Sequence, residues 1–159
     1  MSEPVVNLVL IEDDKEIRRF LHSDIAEVRI FSRDEKKQDD MRKRYNSAKL
    51  KFYIGDVRDQ RSVEQAMRGV DYVFHAAALK QVPSCEFHPM QAVRTNVLGT
   101  LNAARMAGTV GAQRFVLIST DKAVNPTNVM GASKRLAEQV LQAVADEFPS
   151  TRYVAVRFG

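Results

Sequence analysis

Four carboxylates gather where an apolar segment near the amino terminus gives way to a helical pattern. Glu12, Asp13 and Asp14 are consecutive, Glu16 lies one turn further on, and there is no glycine among the first 54 residues. A strand-to-helix junction that binds a dinucleotide needs glycine, because the backbone turns tightly and its N–H groups meet the pyrophosphate. Carboxylates a few ångströms from a diphosphate in a partly desolvated cleft cost on the order of several kcal/mol. The junction therefore predicts a corner that repels phosphate.

The histidines and the cysteine indicate no metal site. Cys85 is the one cysteine, so an internal disulfide is excluded and a reducing compartment is favoured. His75 and His88 lack metal-ligand spacing with Cys85 or with an acidic residue. We interpret both histidines as structural residues.

Composition favours one globular domain with a hydrophobic core, since the chain has 159 residues of which 45% are hydrophobic. The formal charge is +4, and basic residues are interspersed with acidic ones, so we expect no nucleic-acid partner. No apolar run approaches the length of a membrane span, and the amino terminus lacks the apolar core of a signal peptide. We expect no membrane partner and a cytoplasmic location.

Short β-rich segments alternate with helical patterns along the chain. The predicted strands are residues 5–11, 27–32, 50–54, 72–76, 114–119 and 153–157. The predicted helices are residues 14–21, 34–46, 62–67, 89–107 and 128–148. This alternation predicts an α/β fold, a three-layer, doubly wound parallel sheet that is Rossmann-like, with six strands in the order 3-2-1-4-5-6. We expect residues 1–159 to form a single domain.

Five short stretches occur in an order that points to one superfamily. They are residues 30–36 (IFSRDEK), 55–59 (GDVRD), 75–80 (HAAALK), 95–100 (TNVLGT) and 119–123 (STDKA). Through them, residues from about 24 to 159 resemble the Rossmann core of the extended short-chain dehydrogenase/reductase superfamily. Within it, they are most similar to the nucleotide-sugar 4,6-dehydratases and epimerases of bacterial capsule polysaccharide biosynthesis.

This resemblance implies an NADP site after the second, third and fourth strands. The implied cofactor-binding residues are Ser32, Arg33, Asp56, Val57, Ala76, Ala77 and Ala78. The hydroxyl and the guanidinium would hold the ribose 2′-phosphate, the acid would accept from the adenine amino group, and the alanines would let the cofactor approach the backbone. Ordinary structural roles compete with these: a solvated arginine, an aspartate that caps its own turn, and alanines selected for packing.

The same resemblance implies catalytic roles near the fifth strand. Lys134 matches the family's catalytic lysine, which holds the nicotinamide ribose. The usual tyrosine position, four residues earlier, is Met130, which cannot exchange a proton. Some capsule dehydratases resemble the chain in this, which makes Asp121 and Lys122 the implied proton-transfer pair. The alternative is a surface ion pair that contributes little.

In the dehydratase family the sixth strand continues past an Arg-Phe-Gly into a smaller domain that holds the sugar nucleotide. The sequence ends at a matching Arg-Phe-Gly, residues 157–159. We therefore expect the family core to be truncated before the substrate domain, with little left to position a sugar.

Residues from about 5 to 22 resemble the first strand and helix of a response-regulator receiver domain. In residues 7–21 (NLVLIEDDKEIRRFL) a hydrophobic strand runs into an acidic pair and then into a helix. The resemblance implies that Glu12 and Asp13 are a vestigial Mg²⁺-binding pair. In the predicted strand order no carboxylate ends the strand that takes the phosphoacceptor's place, so we expect no occupied metal site and no phosphotransfer.

Together the two resemblances predict an engineered chimera, with a receiver-like segment at 1–22 joined to a dehydratase-like core at 23–159. We expect a flavodoxin-like or Rossmann-like scaffold that is not an enzyme, with no cofactor and no small-molecule substrate, and with possible self-association through its open sheet edges. One alternative is a residual NADP-binding fragment of a UDP-sugar 4,6-dehydratase or epimerase. A second is a Mg²⁺ or phosphorylation module built on Glu12 and Asp13.

Overall fold

The computed structural model describes residues 17–159 and the backbone of residues 7–11. The acidic junction at residues 12–16 lies outside the described residues. The predicted metal pair of Glu12 and Asp13 therefore lies outside them as well.

Within the described residues, six strands form one parallel sheet. The strands are β1 (Asn7–Ile11), β2 (Glu27–Ser32), β3 (Leu50–Ile54), β4 (Tyr72–His75), β5 (Arg114–Thr120) and β6 (Arg152–Phe158). Their order across the sheet is β3-β2-β1-β4-β5-β6, and every neighbouring pair is parallel. The predicted Rossmann-like α/β class is confirmed.

Helical segments connect the strands. They are α1 (Ile17–Leu21), α2 (Glu35–Tyr45), α3 (Gln60–Met67), α4 (Val82–Phe87), α5 (Pro89–Ala92), a π-helical turn (Val93–Leu98), α6 (Gly99–Thr109), a 3₁₀ turn (Asp121–Ala123) and α7 (Val129–Glu147). None of the described helices is both long and apolar enough to cross a membrane.

Alternating side chains of the strands build a core on each face of the sheet. Val28 and Ile30 of β2 pack with Ile17 of α1 and Met41 of α2 on one face. Phe115 of β5 is fully buried in the larger cluster on the other face, which α3, α6 and α7 cover. Helices thus cover both faces of a parallel sheet whose inner strands are largely apolar, whereas β6 at one edge is mostly exposed.

The region between β4 and β5 differs most from the sequence prediction. Residues 89–107 are predicted as one helix, whereas the structure has α5, the π-helical turn and α6 in succession, after a separate α4. Pro83 and Pro89 each lie in the first turn of a helix, where a proline loses no hydrogen bond. Periodicity does not distinguish an α-helix from a helix with a π-helical turn, a feature that is frequent at functional sites.

Candidate functional site

The carboxyl ends of the parallel strands meet at one edge of the sheet, where two clefts lie. The first, which we call the serine–arginine cleft, is lined by Phe31, Ser32, Arg33, Gly55, Asp56, Val57, Ala77, Ala78 and Thr95. These residues lie at or after the ends of β2, β3 and β4, with Thr95 from the π-helical turn. Ligands of open α/β sheets bind outside this edge.

Ser32 and Arg33 differ in how free their side chains are. Ser32 is 4% exposed, and its hydroxyl oxygen accepts from the Gln38 amide at 3.1 Å. The Arg33 side chain is about half exposed, and its guanidinium lies 3.6 Å from Asp56. An exposed arginine beside a cleft is able to turn toward an anion. The same geometry also suits an arginine that contacts only solvent and Asp56.

The Asp56 carboxylate is bound by its neighbours in the chain. Its Oδ1 accepts from the backbone N–H of Arg58 at 2.9 Å, and its Oδ2 pairs with the Arg58 guanidinium at 2.7 Å. The hydrogen bonds from Arg58 lower the pKa of Asp56 below its usual value, and the charge of Arg33 adds to the effect. Asp56 thus caps its own turn in the structure, which is the structural role that competes with recognition of the adenine.

The small residues after β4 and β3 bring the backbone close to the cleft. Ala76 and Ala77 are buried, at 4% and 6% exposure, and Val57 is 5% exposed. Ala77 and Val57 belong to the larger core cluster and also line the serine–arginine cleft. At these positions a side chain is therefore able to pack in the core and also to line a cleft where a ligand approaches the backbone.

The second cleft, which we call the lysine cleft, lies at the ends of β5 and β6 and has a volume of about 290 Å³. It is lined by Leu79, Lys80, Ile118, Ser119, Thr120, Lys122, Met130, Lys134, Phe158 and Gly159. Three lysines thus reach a single cleft. The structure brings Lys122, Lys134 and Met130 together, as well as Lys80, to which the sequence analysis assigns no role.

Lys134 is an almost fully buried amine. It is 6% exposed, and its Nζ donates to the Ile118 carbonyl oxygen at 2.7 Å. Burial lowers its pKa to about 8, the charge of Lys80 lowers it too, and Glu138 has the opposite effect. An amine with such a pKa is able to hold or release a proton near neutral pH.

Asp121 and Lys122 form an exposed pair at the 3₁₀ turn that follows β5. Their charged atoms lie 3.8 Å apart, and both side chains are more than half exposed. The Thr120 hydroxyl donates to Asp121 Oδ1 at 3.1 Å. Lys122 also lines the lysine cleft. The geometry is therefore compatible both with a solvated ion pair and with a pair that transfers protons in the cleft.

The first turn of α7 packs closely on the Asp121–Ala123 turn. A Cβ on Gly131 would lie 2.6 Å from the Lys122 carbonyl oxygen. Asn128 caps the helix by accepting from the Gly131 N–H at 2.8 Å. Glycine at this position therefore allows α7 to bring Lys134 beside the residues that follow β5.

Asn96 of the π-helical turn holds the segment after β4. Its Oδ1 accepts from the Leu79 N–H at 2.8 Å, and its Nδ2 donates to the Leu79 carbonyl at 3.1 Å and to Ser133 Oγ at 2.9 Å. One buried side chain thus joins the Leu79 backbone, next to Lys80, to the helix that carries Lys134. Asn96 lies in one of the quoted motifs, but no role is predicted for it from the sequence. Its polar side chain inside an apolar helical pattern is the signal that could have indicated one.

His75 is a buried residue with a structural contact, as expected from the sequence. Its Nε2 lies 3.0 Å from Thr100 Oγ1, and Thr100 donates its own proton to the Asn96 carbonyl. The Nε2 atom is therefore the donor, and the ring is neutral because burial, and then the charge of Lys134, lower its pKa to about 3. The described residues contain no group of three or more His, Cys, Asp or Glu side chains that could hold a metal ion.

The two clefts offer the kinds of groups that the two halves of a dinucleotide need, and the serine–arginine cleft has a volume of about 20 Å³ in this structure. The serine–arginine cleft offers a hydroxyl and a guanidinium beside small residues, and the lysine cleft offers a buried amine. Both lie at the sheet edge where such cofactors bind. The residues of the described part of the chain are thus compatible with NAD or NADP.

Curated relatives of the chain are enzymes. UDP-glucose 4-epimerase of Rickettsia felis is 59% identical over 133 residues, which cover 81% of this chain and 39% of the relative. The chain therefore spans about two fifths of the length of the curated relatives it matches.

Solved structures share the fold. The structure of Pen from Bacillus thuringiensis is 33% identical, has a TM-score of 0.93, and matches 97% of this chain and 50% of its own. DesIV, a dTDP-glucose 4,6-dehydratase from Streptomyces venezuelae with NAD bound, was solved as a double mutant and is 20% identical with a TM-score of 0.84, covering 94% and 54% of the two chains. At that identity the second likeness concerns the fold alone.

These relatives correct two predictions made from the sequence. The interpretation as an engineered chimera without turnover is wrong, because the sequence is 59% identical to natural epimerases over most of its length. The prediction that the chain is not an enzyme is wrong for the same reason, since those relatives are enzymes. The receiver resemblance of residues 5–22 gains no support from the comparisons.

The nucleotide-sugar resemblance of residues 24–159 is confirmed at the level of the family. The sequence family described as "Polysaccharide biosynthesis protein" matches residues 14–159, so the match begins within the receiver-like segment. The chain belongs to this polysaccharide biosynthesis family.

Proposed function

We propose that the chain carries the dinucleotide-binding part of a UDP-sugar 4-epimerase or 4,6-dehydratase. The main support is the lysine cleft, in which Lys134, Lys122 and Met130 lie together beside the ends of β5 and β6. The relatives named UDP-glucose 4-epimerase support the substrate class.

In this proposal the cofactor is NADP. Ser32 and Arg33 would bind its adenosine ribose, with Val57 and the alanines after β4 beside the adenine and the pyrophosphate. NAD is bound in structural neighbours such as DesIV, which supports a nicotinamide dinucleotide without deciding between the two. When bound, the nicotinamide would reversibly accept a hydride from the sugar carbon that carries a hydroxyl group.

Lys134 would hold the nicotinamide ribose and, with a pKa of about 8, remain partly able to exchange a proton. Met130 lines this part of the cleft with an apolar side chain. Asp121 and Lys122 would move protons at the sugar, since Met130 has no exchangeable proton.

Calorimetric titration with NADPH and NADH tests the proposal on the chain as it stands. We expect one site, and Lys134→Met should weaken binding about tenfold, the size of one hydrogen bond to a charged group. The matched control is Lys43→Met, which removes an exposed lysine of α2. Absence of binding by the unmodified chain, or equal effects of the two substitutions, would contradict the proposal.

Product analysis with UDP-glucose separates the two reactions. Epimerisation returns an isomer of the same mass, whereas dehydration returns a keto-deoxy sugar that is lighter by one water. Because the chain spans 39% of the length of its relatives, the assay belongs on a protein that contains these residues within the full family length.

A further inference from the structure

A buried amide lies directly behind the serine–arginine cleft. Gln38 of α2 is 1% exposed, and its Nε2 donates to the Tyr53 carbonyl at 2.8 Å and to the Ser32 hydroxyl oxygen at 3.1 Å. The Ser32 carbonyl lies 3.3 Å from the same nitrogen. Gln38 therefore ties the end of β2 to β3 and fixes the surroundings of one side chain that lines the cleft.

This contact determines which way the Ser32 hydroxyl points its proton. A hydroxyl has one proton and two acceptor lone pairs, and here a lone pair takes the Gln38 N–H. No acceptor in the described part of the chain takes the Ser32 proton, and Gln38 Oε1 has no partner there either. The proton is thus free to donate into the cleft that Ser32 lines.

Of the charged side chains that the structure describes around that position, each is a donor or an acceptor already in use. Arg33 is a donor. The Asp56 carboxylate is paired with Arg58, and Asp34 accepts from the Lys37 N–H at 2.8 Å as the cap of α2. A ribose 2′-hydroxyl is usually recognised by a carboxylate that accepts its proton, whereas a 2′-phosphate has acceptors only.

We propose that Gln38 is a positioning residue for cofactor choice: it holds Ser32 as a donor toward the ribose 2′ position, so that a 2′-phosphate is preferred to a 2′-hydroxyl. The inference rests on the proposed function and deepens it. The unpaired Oε1 supports it, because an apolar side chain of similar size would avoid an unsatisfied buried acceptor. The donor side of the amide has two acceptors, the Tyr53 carbonyl and the Ser32 hydroxyl.

Calorimetry with Gln38→Met tests the inference. The ratio of the NADH to the NADPH dissociation constant should fall about fivefold to tenfold, with little change for NADH, because a donor to a charged group is no longer held. Gln139→Met, at an exposed glutamine of α7, is the matched control and should leave the ratio unchanged. In a Ser32→Ala background, Gln38→Met should change the ratio no further.

A second variant guards against a failure to fold. Ser32→Ala on its own removes the hydroxyl and leaves Gln38 bonded to the Tyr53 carbonyl, so the fold should persist and the ratio should fall as well. An unchanged ratio, an equal loss for both cofactors, or an undiminished effect in the Ser32→Ala background would overturn the inference and leave the proposed function intact. If the unmodified chain binds neither cofactor, both proposals fail.

Discussion

Lys134 is the residue whose environment departs most from that of an ordinary lysine. Its burial is nearly complete, and it has Lys80 and Glu138 near enough to act on it with opposite signs. The family resemblance identifies this lysine in the sequence, but it cannot predict the protonation equilibrium, which depends on the depth of the cleft and on Lys80, 54 positions away in the chain.

Lys80→Met should raise the pKa of Lys134 above about 8, because it removes a neighbouring positive charge. Glu138→Gln should lower that pKa, because it removes the carboxylate that favours the charged amine. Carbon NMR of the lysine ε-methylene groups over a pH titration measures both shifts. Shifts of the same sign in the two variants would contradict this electrostatic description.

His75 should make the protein sensitive to acid. Its pKa is about 3 in the folded state and 6.5 in an unfolded chain, so between these values the unfolded state binds a proton that the folded state does not. The free energy of unfolding should therefore fall as pH decreases from 6.5 toward 3, by up to about 1.4 kcal/mol per pH unit.

Urea unfolding of His75→Gln against pH measures this contribution, since glutamine keeps a neutral donor for Thr100. The variant should lose part of the acid sensitivity, while His88→Gln, at an exposed site, should retain it. Equal pH dependence of the unmodified protein and His75→Gln would show that the buried ring is not the cause.

At the scale of elements, hydrophobic alternation and turn residues predict the strands well. The bounds of β2 and β3 match the sequence prediction, and the predicted helix at 34–46 is α2 with its caps Asp34 and Asn46. The π-helical turn and α4 were not predicted, because hydrogen bonds to Leu79 and packing around Cys85 arise from residues distant in sequence. Local patterns carry no information on such contacts.

Asn96→Ala should destabilise the protein by about 1–3 kcal/mol, since it leaves the Leu79 N–H and carbonyl without their partner. Chemical denaturation measures the loss, and amide exchange at Leu79 should become faster. Asn125→Ala, at an exposed asparagine, is the control and should have little effect. An equal effect of the two substitutions would contradict the role of Asn96.

Gly131→Ala tests the approach of α7 to the Asp121–Ala123 turn. Helix propensity alone would make alanine more stable by up to about 1 kcal/mol. The close contact with the Lys122 carbonyl instead predicts destabilisation by about 1–3 kcal/mol. Thermal unfolding decides the sign, and a rise in stability would contradict the described packing.

The sequence was sufficient to predict the fold class and the family but not the function. The junction at residues 12–16 favours an inactive chimera, but it is a single feature, whereas five motifs lie between residue 30 and residue 123. The order of those motifs matches the order in which strand ends contribute to the two clefts. The agreement of five motifs with the positions of the strand ends is stronger evidence for function than one unfavourable junction is against it.

The most direct measurement is the mapping of amide chemical-shift changes while the chain is titrated with NADP⁺. The account predicts that the largest changes fall in both clefts at once, around Ser32 and Arg33 at one end and around Lys122 and Lys134 at the other. A groove of about 450 Å³ between α7 and β6, lined in part by Arg135 and Tyr153, provides a built-in comparison. Changes confined to that groove, or no changes at millimolar cofactor, would contradict the account.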